Sequence, residues 1–299
     1  MPTRLDPTAR TIGGTGYDPQ FIGVQLPVPV AATAAVRNDL IGAAGARIAH
    51  YTHFSLSMRK SRRLAAFVAW NIDGHITKPG SKSASWQLDP RVPADVQIDN
   101  TLYEGTTFDR GHIAKREDLL WGGADLAARA NDDSFCYTNA TPQHEKFNRL
   151  APGLWKSLED EIFKQVDVTD LRITLLGGPI LAADDRPFLP PGAPRGTTAV
   201  LIPRQFFKIV AYRDNDDGRV KALAFRLSQA SLLEPGPTGR LDLSRFKMFQ
   251  VDVREIETLT GLRMTAFRRV DAKALHERRA PGGLRQPERP IKSFADIVR

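Results

Sequence analysis

The sequence predicts an α+β fold, with a central, largely antiparallel sheet flanked by helices. Three observations predict it. Apolar runs bounded by Gly, Pro and Asp outnumber segments with helical spacing; the two kinds are mixed along the chain; and 299 residues at 41% hydrophobic and 25% charged suit a globular chain able to bury a sizeable core.

Residues 1 to about 50 read as an N-terminal extension, a loop followed by a short Ala-rich helix within 31–48. LAAFVAWNID (64–73) reads as a buried strand running into a turn at Asp73-Gly74. A long loop centred on SKSASWQLDPRVP follows, and then TTFDRGH, a strand leading into a tight turn at Gly111. SFCYT (134–138) is a short strand candidate. Leu154, Trp155, Leu158, Ile162, Phe163 and Val166 recur at helical spacing, which predicts an amphipathic helix over 153–166. LRITLLGGPI, TAVLIPRQFFKIVAY and VKALAFRLSQ predict three more strands. Asp252, three residues before Glu255 and just ahead of Ile256 and Leu259, predicts a capped helix over 253–260. The domain reading is an extension (1–50), a main domain (51–265) and a basic tail containing Pro and Gly (266–299).

Composition narrows the function classes. Cys136 is the single cysteine, which excludes an intrachain disulfide and leaves a cysteine-based zinc site unsupported. The opening residues lack the charged start and apolar centre of a secretory signal, and no run approaches the ~18 apolar residues of a membrane span. The expectation is a cytoplasmic location by default and no membrane partner, with export by a dedicated system as the alternative. The net charge is +8, of which residues 266–299 supply +5 through nine basic and four acidic residues. A second basic run, MRKSRR (58–63), abuts the strand at 64. Charge alone favours an anionic partner only weakly.

The chemistry-bearing residues cluster in FDRGH (108–112) and TNATPQHEKFN (138–148). An imidazole with an ordinary pKa of ~6.5 makes His112 a candidate general base. Arg110 offers a fork of donors suited to phosphate, and Gly111 allows close backbone approach. Asn139, Gln143 and Asn148 supply amide oxygens, and Mg²⁺ needs only one or two oxygen ligands from a protein. Glu159, one turn beyond Trp155, places a carboxylate on the following helix. The plainer alternatives are a polar turn, an Asp109–Arg110 surface ion pair and ordinary loop amides. His50 and His53 read as structural, His144 as solvated, and Trp155 and Leu158 as core.

FDRGH resembles the DRGH signature of the DNA/RNA non-specific endonucleases, the ββα-metal or His-Me finger nucleases that include mitochondrial endonuclease G. TNATPQ, Asn148 and LWKSLED follow the order of that family's TN-x-x-PQ, N and W-x-x-LE block. GGPI, IPRQFFKIV and VDVREIETLTGL resemble its later strands and closing helix, and YDPQFIG, LPVP and HFSLSMRKSRRLAAFVAWNIDG resemble bacterial members. The similarity spans roughly residues 17–265.

The resemblance implies a ββα-metal finger with His112 as general base, Asn148 as direct Mg²⁺ ligand and Glu159 orienting metal-bound water. It implies Arg110 near the phosphate, Asp109 holding the turn, and Asn139 and Gln143 supporting the loop or contacting substrate. The implied activity is Mg²⁺-dependent hydrolysis of DNA, with RNA as a second substrate and Mn²⁺ as a substitute metal, sequence-non-specific and leaving 5′-phosphate ends. The family includes dimers, but no motif here forces a homodimer; a hydrolase of this kind would threaten its own host, which makes an inhibitor protein the other expected partner. The alternative is a catalytically inactive relative that binds nucleic acid or another partner. Two departures stand out. Ala84 and Ser85 precede Trp86 where the family commonly carries an arginine, for which Lys82 or RKSRR would have to substitute. RLAPGL (149–154) lengthens the segment between Asn148 and Trp155, which would shift Glu159.

Overall fold

The computed structural model describes residues 12–74, 84–150, 172–233, 248–279, 288–291 and 296–298. The expected helix at 153–166, with Trp155, Leu158 and Glu159, lies outside them, as do Lys82 and residues 151–154 of the longer segment.

In chain order the elements are β1 (Val30–Ala31), α1 (Ala34–Asp39), β2 (Leu40–Ile41), β3 (Ala49–His50), β4 (Phe54–Arg59) and β5 (Leu64–Asp73). Next come β6 (Phe108–His112), α2 (Arg116–Leu119), α3 (Ala124–Ser134), β7 (Ala140–His144) and a π-helical turn at Lys146–Leu150. The remainder comprises β8 (Arg172–Ile180), β9 (Arg186–Phe188), β10 (Val200–Ile202), β11 (Gln205–Arg213), β12 (Val220–Ser228) and α4 (Ala230–Leu233). The last elements are β13 (Met248–Val251), α5 (Val253–Thr260), β14 (Leu262–Arg263), α6 (Thr265–Arg269), α7 (Ala272–Arg279) and β15 (Glu288–Pro290).

Nine strands form the main sheet in the order β15-β13-β12-β11-β8-β5-β4-β2, with β3 also paired to β4. Every pairing is antiparallel. The sheet therefore includes residues on both sides of position 50, and β15 brings residues 288–290 to its edge. The long strands carry near-continuous apolar runs because both faces are covered. On β11, Phe206, Val210 and Tyr212 join the core that holds Ile113, Leu119 and Phe147, while Phe207, Ile209 and Ala211 join the core that holds Ile256 and Phe267. This alternation places the β6–α2 segment on one face of the sheet and α5–α6 on the other.

Several expectations need correction. SFCYT is not a strand: Ser134 ends α3, Cys136 makes only an isolated parallel bridge to Gln87, residues 137–139 form a tight helical turn, and the next strand begins at Ala140. Phe135 and Tyr137 pack against Trp86 instead of lining a sheet, which a short apolar run cannot reveal. Gly111 makes no turn and lies within β6. The Ala-rich helix shrinks to α1, capped by Thr33 Oγ1, which accepts from Val36 N at 3.2 Å. TAVLIPRQFFKIVAY splits into β10 and β11 at Pro203-Arg204, since Pro has no N–H for the ladder. Helix α3 was not anticipated because its buried positions are Ala127, Ala130, Asn131, Asp133 and Ser134, small or polar residues that leave no apolar stripe.

Helix α5 forms over the expected residues, yet the capping box does not. Asp252 bonds Lys273 Nζ at 3.1 Å, and Glu255 pairs with Arg226 at 3.1 Å. The amide of Val253 goes to Asp271 Oδ2 at 2.7 Å, so a residue 18 positions away caps the helix. Gly261 ends it at φ 68°, in the left-handed region that favours glycine. The MRKSRR run is partly consumed by structure: Arg59 pairs with Asp39 at 2.6 Å and Arg62 with Asp185 at 2.5 Å.

Candidate active site

Strands β6 and β7 pair antiparallel as a separate two-stranded ribbon, with Asp109 opposite Gln143, Gly111 opposite Thr141 and His112 opposite Ala140. The ribbon is tied to its surroundings through both ends. Gln229, fully buried at the end of β12, accepts from His144 N at 2.8 Å and donates to Pro142 O at 3.2 Å and Pro203 O at 2.6 Å. It thus satisfies the edge of β7 that β6 does not reach. Asn139 is buried with its amide fully used: Nδ2 donates to Ala114 O at 2.9 Å and Ser134 O at 3.1 Å, and Oδ1 accepts from Ala114 N at 3.0 Å. Its place is support, fastening the chain just after His112 to the end of α3.

Alternation along β6 sorts the DRGH side chains onto two faces. One face carries Arg110 and His112. Trp86 packs on the His112 ring at 4.6 Å between centroids, Phe135 meets it edge-on at 5.0 Å, and the Arg110 guanidinium lies 5.8 Å from the Trp86 ring. Trp86 is held there because Gln87 N donates to Phe135 O at 3.0 Å and Tyr137 N to Gln87 O at 2.9 Å. Arg110 is exposed and Nη1 donates to Asn100 Oδ1 at 2.6 Å, leaving further donors on the fork.

The other face carries Asp109 and the glycine. Asn148, in the turn after β7, donates Nδ2 to Asp109 Oδ2 at 2.9 Å. Gln143 lies across Gly111, where an added Cβ would meet its Cδ at 2.3 Å. The glycine of the motif is required by this close approach and not by a turn.

The His112 ring is half-buried as a residue, but its Nε2 is shielded from solvent and has no hydrogen-bond partner among the described residues. Loss of hydration lowers its pKa from 6.5 to about 4; Glu117 opposes that shift, and Arg116 and Arg110 add to it. At neutral pH the imidazole is uncharged and able to accept a proton. Below it, Asp118 on α2 accepts from Trp70 Nε1 at 3.1 Å and faces the buried Lys208 of β11, so the segment following His112 is fixed to the central sheet.

The structure brings Asp109 to Asn148, and Arg110 and His112 to Trp86. No contact joins Asn148 to His112 among the described residues. Asp109 and His112 stand three residues apart on one strand, roughly 10 Å along the backbone. One cavity of about 280 Å³ is lined by Asp109 and Arg110 together, with Asn100, Glu104 and Glu145; His112 and Asn148 do not line it. Among the described residues no three His, Cys, Asp or Glu side chains group to chelate a metal. The oxygen donors present, the Asn148 amide with Asp109 beside it, suit a hard cation that takes few ligands from protein.

His53 is structural, with Nδ1 bonded to Leu119 O at 2.9 Å and its ring stacked 3.4 Å from Trp121. His144 is half-buried against Phe108 rather than solvated, and its Nδ1 accepts from Lys146 N at 3.2 Å. Sequence reasoning missed Gln229 and the contact of Trp86 with His112. The local signal for the latter was the resemblance of the residues around Trp86 to a family motif.

A family model for DNA/RNA non-specific endonuclease matches residues 32–273. The chain is 33% identical over 280 residues to an uncharacterised protein, y4fB, of Sinorhizobium fredii, covering 87% of this chain and 40% of that protein. It is 26% identical over 211 residues to a nuclease of Nostoc sp., covering 70% and 69%. To human mitochondrial endonuclease G it is 25% identical over 185 residues, covering 60% and 56%. A crystal structure of an EndoG/EndoGI complex shares the fold, with TM-score 0.54 and 19% identity over 76% of this chain and 87% of that one. No helix among the described residues is long and apolar enough to cross a membrane.

Proposed function

Since the chain belongs to the DNA/RNA non-specific endonuclease family, we propose that it is a metal-dependent phosphodiesterase cutting DNA, and RNA as a second substrate, without sequence preference and leaving 5′-phosphate ends. The observation that carries the reading is a neutral imidazole with an unpartnered Nε2, on the same five-residue strand as the carboxylate that holds Asn148.

His112 takes the proton from the attacking water, since a neutral imidazole offers a lone pair at pH 7. Trp86 and Phe135 fix its ring and keep it uncharged. Arg110 meets the phosphate with the donors its bond to Asn100 leaves over. Asn148 would hold Mg²⁺, or Mn²⁺ in its place, through the amide oxygen, and Asp109 fixes the amide by accepting from its nitrogen. The cation, when bound, stabilises charge on the phosphoryl and leaving oxygens. Recognition through phosphates gives little base selectivity.

The test is nicking of closed circular plasmid and degradation of RNA, with Mg²⁺ or EDTA, by wild type, His112→Ala, Asn148→Ala and the double variant. Wild type cuts only with metal. Each single variant loses about 10²–10⁴-fold, and the double variant loses little more, because groups acting on one phosphate are not additive. Equal rates for wild type and His112→Ala would remove the base from the reading, and fully additive losses would separate the two residues into independent roles.

A further inference from the structure

The face of the sheet opposite the candidate site carries a run of arginines that the proposed chemistry does not use. Helices α5 and α6 pack there on Phe207 and Ile209 of β11, away from Ile113 and Phe147. Two neighbouring cavities, of about 640 and 510 Å³, share Arg254 and Arg268 in their walls; the first adds Arg269 and Arg278, and the second adds Arg263.

The acids in these walls are already engaged. Asp252 and Glu277 both bond Lys273, at 3.1 and 2.7 Å, and Glu257 pairs with Arg268 at 2.9 Å. Asp271 accepts from the amides of Val253 and Ala274. Arg254, Arg263 and Arg269, in contrast, are exposed and have no carboxylate partner among the described residues. Three uncompensated guanidinium groups therefore point to solvent along one face. No aromatic side chain lines either cavity, as the centre of a protein interface commonly requires, whereas spaced guanidinium forks match successive phosphates.

We propose that this arginine face is a second nucleic-acid contact, gripping the phosphodiester backbone of a segment remote from the one being cut. The inference rests on the nuclease reading above. The sheet stands between the two surfaces, so a short duplex reaches one of them at a time, while a long molecule reaches both and is held at higher local concentration.

The test compares Arg254→Ala/Arg263→Ala/Arg269→Ala with its parent. Binding is measured in the His112→Ala background over a salt series, with a duplex of about 10 base pairs, roughly 34 Å long, and with closed circular plasmid. For plasmid the triple variant should bind tenfold or more weakly, with a log–log salt slope shallower by about 2–3. Its cleavage of the short duplex, in the chain with His112 intact, should be unchanged, which also verifies folding. The corresponding triple Arg→Lys variant should keep most of the slope. Unchanged plasmid affinity and slope would overturn the proposal and leave the face to another partner, such as an acidic protein. Equal losses on both lengths would overturn it by placing these arginines in the site itself. A wild-type chain that cuts neither length fails the nuclease reading instead.

Discussion

Asn148 Nδ2 donates to Asp109 Oδ2 at 2.9 Å, joining residues 39 apart and committing the nitrogen of the amide to a carboxylate. With its nitrogen engaged, the amide of Asn148 keeps its oxygen for another partner, which the proposed function assigns to a cation. Asp109→Asn weakens that control, because the new amide can present either an acceptor or a donor to Asn148, and is expected to lower nicking about 10–100-fold, with part of the loss recovered at raised Mg²⁺. Asn148→Ala should lose more and recover none. A Mg²⁺ titration of nicking rate decides it: an Asp109→Asn profile superimposed on wild type would show that the bond orients nothing that matters.

His112 is uncharged above a pKa that burial lowers to about 4. Its basic form is therefore present through mildly acidic pH, and the acid limb of kcat/KM should fall well below the ~6.5 of a free imidazole. Trp86→Ala, which hydrates the ring, should move that limb upward. The same shift has a stability consequence. Between pH ~6.5 and about 4 the unfolded chain binds this proton and the folded chain does not, so stability present above that window is lost as pH falls through it. A limb at or above 6.5 in wild type would contradict the burial argument.

Gly111→Ala should be disruptive chiefly through Gln143, since the new Cβ would lie 2.3 Å from Gln143 Cδ in a buried spot. The expected cost is about 1–3 kcal/mol, seen as a lower urea midpoint, with a matching loss of nicking. Adding Gln143→Ala should recover most of the stability. If the double variant is no more stable than Gly111→Ala, the glycine serves some other need.

Gln229→Leu keeps volume but strips the partners from His144 N, Pro142 O and Pro203 O. Leaving buried groups unpaired should cost about 1–3 kcal/mol. Because β7 is held to the sheet through this side chain, nicking should fall further than the loss of folded protein explains. Thermal melts beside rates at a temperature where both proteins are folded test this, and an activity loss equal to the unfolded fraction would reduce Gln229 to a stability role.

The sequence made the long strands legible because their apolar runs are uninterrupted and their ends carry Gly, Pro or Asp: residues 64–73 and 220–228 were read almost to the residue. It also made family membership legible, through the ordered DRGH and TN-x-x-PQ blocks, and it determined which side chains have the chemistry for the reaction. Helix α3 escaped because small and polar residues face its core, and SFCYT misled because its aromatics serve Trp86.

Which of those side chains meet was left to the tertiary structure. Pairing β6 with β7 across 27 intervening residues sets Gln143 over Gly111 and Asn148 beside Asp109, and closing the 84–89 loop onto Phe135 makes His112 a low-pKa base. Local periodicity reports how each residue faces within its own element. Register, burial and the field at an imidazole depend on elements far away in the chain, and those come into existence only when the sheet assembles.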